Sequence, residues 1–242
     1  MVERFERSWQ LNAVLSAASR PLRLWFRPRV FGLEQVPTDQ PVVYVAKHPR
    51  TFLYLETVLL GLVTFWEGKH RPFRTMEKRN TSIHSTPGLA WFRRHAQSIE
   101  ATEEAALATL ALGESVLVFP GGSRDLYGPA DAVDWHGRRQ FARFAARARV
   151  PVVPLAMAGA DGQHPWRLPL GRTRSLWLPL LPLPVSIDFW FGAPIAPPAG
   201  SDGPGIARLA ATAEAEVRAL LVRAAGKRRA LLGDGAERVR DP

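Results

Sequence analysis

Cysteine is absent from the 242 residues, which excludes disulfides and thiolate chemistry from the chain itself and fits a reducing compartment. Nowhere do eighteen apolar residues run together, so no membrane-spanning helix is expected. Near the amino terminus stand Glu3, Arg4, Glu6 and Arg7, where a signal peptide needs an apolar centre, so export by that route is not expected either. Histidine is sparse, and His48, His70, His84, His95, His136 and His164 show no ligand spacing with one another or with acids, so no metal is expected. Asp134-Trp135-His136 lies in a loop ahead of a helix, where capping accounts for it. No internal repeat is found.

Positive charge is abundant by contrast. The 32 Lys and Arg outweigh 22 Asp and Glu, giving a formal charge of +10 and a pI near 11.0. Such a balance asks for an anionic partner: nucleic acid, an anionic bilayer, or a polyphosphate-bearing substrate such as coenzyme A. The basic residues are spread through helices and the tail with no nucleic-acid motif among them, so nucleic acid is set aside. Eight tryptophans, with arginine repeatedly beside Trp, Phe and Leu, favour a membrane surface, where rings sit at the headgroup level and basic heads meet anionic lipid. Part of the excess also fits a plain arginine-rich genome.

With 46% hydrophobic residues the chain can bury one substantial core. Residues 1 to about 28 place Phe5, Trp9, Leu11 and Leu15 among arginines at helical spacing, with Pro21 expected to divide the helix; an interfacial helix and a helix packed on the domain both fit. Pro41 to Lys47 reads as a buried strand that delivers His48 to its carboxyl end, and Thr51 is expected to cap a helix running to Gly68. A third strand over Pro72–Glu77 is followed by a helix from about Ile83 to Arg94 and a short strand over Ser98–Glu100. Thr102 then caps an Ala-rich helix. Ser115 to Phe119 forms the central strand, a helix spans about Gly137 to Arg149, and Val150–Met157 forms another buried strand. Residues 164–184, rich in proline and leucine with Trp166 and Trp177, read as an irregular apolar segment that lines an acyl pocket, touches lipid or simply crosses the core. Val185–Phe191 closes the sheet, and Ile206–Ala225 is a last amphipathic helix before a frayed basic tail. Alternating strands and helices imply an α/β fold, a mostly parallel central sheet with helices on both faces, preceded by an amphipathic helical segment. The expected divisions are residues 1–30, the α/β domain 31–225 and the tail 226–242.

Two places carry chemistry. The central strand runs without a charge into Pro120-Gly121-Gly122-Ser123-Arg124-Asp125, a sharp turn at a strand's carboxyl end, where open α/β sheets hold ligands. The glycines let backbone N–H groups approach an anion, and Ser123 and Arg124 add a hydroxyl and a positive fork. His48, between a strand end and a helix start, stands where a general base is needed, though capping or packing would equally account for a lone histidine. Together these parts suit acyl transfer to a hydroxyl: the histidine takes the acceptor's proton, the oxygen attacks a thioester, and fixed donors hold the developing charge.

Four blocks in order, Val45–His48, Pro87–Phe92 leading to Ser98-Ile99, Val118–Arg124 and Val150–Leu155, resemble the glycerolipid acyltransferase superfamily over residues 32–197. The Pro-Gly-Gly turn looks like the branch that includes diacylglycerol acyltransferases. The resemblance implies that His48 is the catalytic base and that Gly121, Gly122, Ser123 and Arg124 bind the acceptor's head. It further implies acyl-CoA or acyl carrier protein as donor, a lipid acceptor, an anionic membrane surface as partner, no cofactor beyond that co-substrate, and a cytoplasmic protein peripheral on the inner face of the cytoplasmic membrane. Three positions depart from the family pattern. Leu53 stands where the family pairs its histidine with aspartate; Glu56 is the nearest acid in sequence and is taken as the orienting residue. Gly121 replaces a glutamate of the lysophosphatidic acid enzymes, which suits an acceptor less dependent on phosphate. Glu100 and Ala101 occupy the place of a family arginine, for which Arg93 or Arg94 could substitute. The expected function is therefore a membrane-surface O-acyltransferase of phospholipid or glycerolipid metabolism; the alternative is a lipid-binding or membrane-docking protein of the same fold with catalysis impaired.

Overall fold

The computed structural model describes residues 2–6, 8–51, 54–77, 95, 97–122, 124–125, 132–169, 175–178, 181–200 and 203–238. Its strands in chain order are β1 (Arg29–Phe31), β2 (Val43–Ala46), β3 (Phe73–Glu77), β4 (Ile99–Glu100), β5 (Ser115–Val118), β6 (Val152–Ala158), β7 (Trp166–Pro169), β8 (Ser175–Leu178) and β9 (Asp188–Phe191). The main sheet has seven strands in the order β1-β9-β6-β2-β5-β3-β4. β2, β3, β4, β5 and β6 run parallel, while β9 pairs antiparallel with β6 and parallel with β1.

Strict alternation on β2 shows why the sheet is covered twice. Val43 and Val45 face a core with Phe141, Phe144, Leu110 and Val217; Tyr44 and Ala46 face another with Leu11, Leu15, Leu59 and Leu155. On the first face lie α3 (Glu103–Ala111), α4 (Gln140–Ala148) and α5 (Gly203–Arg238); on the second lie α1 (Trp9–Phe26) and α2 (Leu55–Gly61). Two doubly buried faces require continuous apolar strands, which is the pattern of β2, β5 and β6. Thr102 caps α3 as expected, accepting from the Ala105 amide at 3.2 Å.

The structure corrects several expectations. Pro21 lies inside a single unbroken α1, because a proline forfeits one intrahelical bond and the buried Leu11, Leu15 and Phe26 hold the helix on either side of it. Thr51 does not cap α2, whose N-cap is Tyr54 in the left-handed region at φ 54°. Arg29–Phe31, for which no element is expected from the sequence, is an edge strand. Within 164–184 the chain forms a β7–β8 hairpin, with Trp166 opposite Leu178. The last helix does not fray at Ala225 but continues to Arg238. Lys227 lies 4.1 Å above the Phe31 ring and Arg228 donates to Ser186 and Asp188, contacts that offset the helix-weakening Gly226. The helix expected over 83–94, the Pro87–Phe92 block, Arg93 and Arg94 lie outside the described residues.

Candidate active site

His48 leaves β2 at the carboxyl edge of the sheet, and the Pro-Gly-Gly turn leaves its neighbour β5 at the same edge. Parallel pairing of these central strands is what brings the two sequence-predicted parts together. The His48 ring is 6% exposed, packed 4.6 Å from the Phe119 ring and edge-on to Tyr54 at 5.4 Å. Its Nδ1 lies 2.7 Å from the Pro49 carbonyl. A carbonyl can only accept, so this contact assigns the proton to Nδ1 and leaves Nε2 as the basic nitrogen. Burial lowers the ring's pKa to about 4; the Pro49 contact opposes this and the Lys47 charge adds to it.

Asp125 is the residue that spacing did not single out. Its Oδ2 accepts from the buried His48 amide at 3.0 Å, tying the histidine loop to the turn. Burial raises its pKa, while the His48 amide, Lys47 and Arg138 favour the charged form. Gly121 has a steric reason here: a Cβ at that position would collide with the Asp125 carboxylate. The turn is further tied by Arg138, whose Nη1 donates to the Pro120 and Gly121 carbonyls at 2.6 and 2.8 Å. Gly122, at φ +56°, takes the left-handed conformation of the turn, and its amide bonds the Phe119 carbonyl at 2.9 Å. Arg124 is exposed beside it. Ser123 and Leu53 lie outside the described residues.

Glu56 occupies a different position from the one expected. Both its oxygens accept from Thr51 Oγ1 at 3.0 Å, and Gln163 also bonds the carboxylate. Burial pushes its pKa up to about 7. The carboxylate thus links the start of α2 to the loop after His48, and the tautomer-fixing contact expected of Glu56 is made instead by the Pro49 carbonyl. A proline carbonyl one residue from the histidine carries no sequence signal for that role. Asp125 stands in the motif itself, but its reach to the His48 backbone depends on strand pairing.

An apolar slot of about 810 Å³, open mouth included, lies between α2 and β3 and is lined by Tyr54, Val58, Phe65, Trp66 and Phe73. Tyr54 therefore touches both the His48 ring and the slot. Among the described residues no helix is long and apolar enough to cross a membrane.

Comparison with known proteins agrees with this layout. The crystal structure of the 1-acyl-sn-glycerophosphate (LPA) acyltransferase PlsC from Thermotoga maritima superposes with a TM-score of 0.58 at 20% identity, over 88% of this chain and 81% of that one, which shows the shared fold. An uncharacterized protein of Mycobacterium tuberculosis is 28% identical over 158 residues, 62% of this chain and 44% of its own length. A human protein described as a DGAT1/2-independent enzyme synthesizing storage lipids is 25% identical over 137 residues, 54% of this chain and 40% of its own. The chain thus spans less than half the length of these curated relatives. The profile of the Acyltransferase family matches residues 27–158, more than half of the chain and a stretch holding both His48 and the Pro-Gly-Gly turn, and this protein belongs to that family.

Proposed function

We propose that this protein transfers an acyl group from a thioester, acyl-CoA or acyl carrier protein, to the hydroxyl of a glycerolipid or similar lipid alcohol at a membrane surface. The observation that carries this reading is His48, with Nδ1 on the Pro49 carbonyl and its amide on Asp125, beside the Pro-Gly-Gly turn of an acyltransferase-family chain. In the reaction the acceptor hydroxyl gives its proton to Nε2 as its oxygen bonds to the thioester carbonyl carbon. The tetrahedral intermediate then breaks its C–S bond, and the leaving thiolate takes the proton from the imidazolium. The histidine ends unchanged, and no covalent enzyme intermediate forms. Arg124 with the Gly121-Gly122-Ser123 turn receives the acceptor's polar head, and the slot beyond Tyr54 receives the donor's hydrocarbon tail.

Membrane contact has its own support. Leu24 and Leu181 are 79% and 81% exposed, and Trp25, Trp166 and Leu168 are also exposed. Trp25 Nε1 donates to the Pro182 carbonyl at 3.0 Å and the Leu183 amide to the Gln163 carbonyl at 2.9 Å, joining the end of α1, residues 181–184 and the approach to β7. β6 runs parallel to β2, so the segment that follows it emerges at the His48 edge of the sheet. An apolar rim with Arg20 and Arg27 nearby suits an anionic bilayer.

A second reading has one observation in its favour: a neutral carbonyl supports the imidazolium less than a carboxylate does, and the resting ring is a weak base. On that reading the protein binds lipid without turnover. Acceptor-dependent release of coenzyme A from palmitoyl-CoA, measured for wild type and His48→Ala with monoacylglycerol, diacylglycerol and lysophospholipids in anionic vesicles, separates the two. Turnover lost with His48 supports the transferase; vesicle binding without turnover supports the second reading.

A further inference from the structure

Carboxylates from separate elements hold successive groups of the loop that carries His48, residues 48–51. Asp125, in the turn after β5, accepts from the His48 amide, and Glu56, in the first turn of α2, accepts from the Thr51 hydroxyl. Between them Asp161, in the 3-10 turn Ala160–Gln163 that follows β6, accepts from the Arg50 amide through Oδ1 at 2.5 Å. β5 and β6 flank β2 in parallel, so the turns that leave them meet the loop from either side.

The Asp161 contact lies directly behind the histidine ring. The Pro49 carbonyl that holds His48 Nδ1 at 2.7 Å and the Arg50 amide that donates to Asp161 belong to one peptide group. That group is planar, and in its trans form the C=O and N–H point in opposite directions. Imidazole, peptide and carboxylate therefore stand in a row. Negative charge at the N–H end polarises the peptide toward its oxygen and makes the carbonyl a stronger acceptor. The Pro49 ring also fixes one of the torsions by which that carbonyl could swing away. Arg50 Nε lies 3.8 Å from the same Oδ1, an ion-pair distance, so the amide has the closer hold on the carboxylate. The turn beneath Asp161 is itself tied down. Its Gly162 amide donates to the Gly159 carbonyl at 3.1 Å, and the buried Gln163 donates to the Ala160 carbonyl at 3.1 Å and bonds Glu56.

We infer that Asp161 is a positioning residue for His48: through the Pro49–Arg50 peptide its carboxylate orients the ring and supports the imidazolium, although no carboxylate touches Nδ1. This rests on the acyl-transfer reading of the His48 site. No proton moves along the row. Nδ1 keeps its hydrogen while Nε2 gains the acceptor's proton and passes it to the leaving thiolate, and the Nδ1–H bond strengthens while the ring is charged. The other titratable groups nearby, Lys47 and Asp125 at His48 and Arg50 and Glu56 at Asp161, are kept in the variants that test this.

The test compares wild type with Asp161→Asn, which keeps an oxygen for the Arg50 amide but not the charge, and Asp161→Ala, which keeps neither. Coenzyme A release from palmitoyl-CoA with monoacylglycerol in anionic vesicles gives kcat and KM. NMR of histidine-labelled protein at neutral pH gives the His48 Nδ1–H resonance, assigned by its loss in His48→Ala, and urea midpoints report folding. Asp161→Asn is expected to lower kcat about fivefold with KM near wild type, because a charge-assisted hydrogen bond is stronger than a neutral one. It is also expected to move the Nδ1–H resonance upfield, and Asp161→Ala to go further in both readouts. A resonance unmoved in the folded Asn variant overturns the inference, whatever kcat does, and so does a resonance that moves while kcat stays unchanged. A wild type without turnover whose resonance still answers to Asp161 would refute the acyl-transfer reading and leave the link between Asp161 and the ring standing.

Discussion

At the residue scale, His48 and Glu56 are buried groups displaced in opposite senses. The folded ring, with its pKa near 4 against 6.5, holds a proton less well than the unfolded chain. Its contribution to stability is therefore complete above pH about 6.5 and is lost as pH falls toward about 4. The Glu56 carboxyl, near 7 against 4.5, holds its proton more tightly when folded. Its contribution is complete below about 4.5 and is lost as pH rises through about 7. Each amounts to on the order of 3 kcal/mol at full extent, so between about 4.5 and about 6.5 they oppose. His48→Ala should make the urea midpoint fall with rising pH in that window, and Glu56→Gln should make it rise; identical slopes in the two variants would contradict both assignments. Asp125 gives a second prediction. Asp125→Ala leaves the buried His48 amide without its acceptor, a loss of about 1–3 kcal/mol, while Asp125→Asn keeps an acceptor oxygen and most of the turnover. Equal losses in the two variants would show that the charge, rather than the hydrogen bond, is what matters.

At the element scale, the Pro-Gly-Gly turn works as one unit with the loop after β2. Gly121→Ala drives a methyl group into the Asp125 carboxylate, so it should lower kcat much as Asp125→Ala does, and the double variant should lose little beyond either single one. Additive losses, read from kcat and from urea midpoints, would break the proposed linkage. Much of this element was legible: β2, β5 and β6 declare themselves by uninterrupted apolar runs, and His48 and the glycines stand where those runs end. What was not legible depends on pairing across the sheet. Asp125 meets the His48 amide because β2 and β5 are neighbours, and no spacing along the chain encodes that. Glu56 was singled out as an acid near His48, but helical geometry and Thr51 direct its carboxylate elsewhere. The β7–β8 hairpin hid behind prolines at 165, 169 and 179, and β1 behind its brevity and the charged Arg29.

At the scale of the whole molecule, the sheet separates two tasks. One face carries α3, α4 and α5 as a packed backing. The other carries α1 and α2, with the slot between α2 and β3, and the carboxyl edge gathers His48, the turn and the exposed Leu24, Trp25 and Leu181. The amphipathic pattern of α1 fits an interfacial and a packed helix; its Leu11, Leu15 and Phe26 are buried in the core while Trp9 and Leu24 are exposed, so the packed role is seen and the exposed apolar residues remain on the outer side. Vesicle sedimentation should show binding to phosphatidylglycerol-containing vesicles that weakens with salt, and the triple change of Leu24, Trp25 and Leu181 to serine should reduce it about tenfold or more while leaving the urea midpoint near wild type. Retention of binding by that variant would move the contact surface elsewhere.

In the proposed reaction His48 Nε2 takes a proton from a lipid hydroxyl during acyl transfer. The most direct test of that step is acceptor-dependent release of coenzyme A from palmitoyl-CoA by wild type and His48→Ala over a pH series. Wild type is expected to turn over with an acid limb in kcat/KM well below the usual histidine range, near pH 4, and the variant to lose at least a hundredfold. Turnover that survives His48→Ala unchanged, or a complete lack of acceptor-dependent release in wild type, would contradict the proposed step.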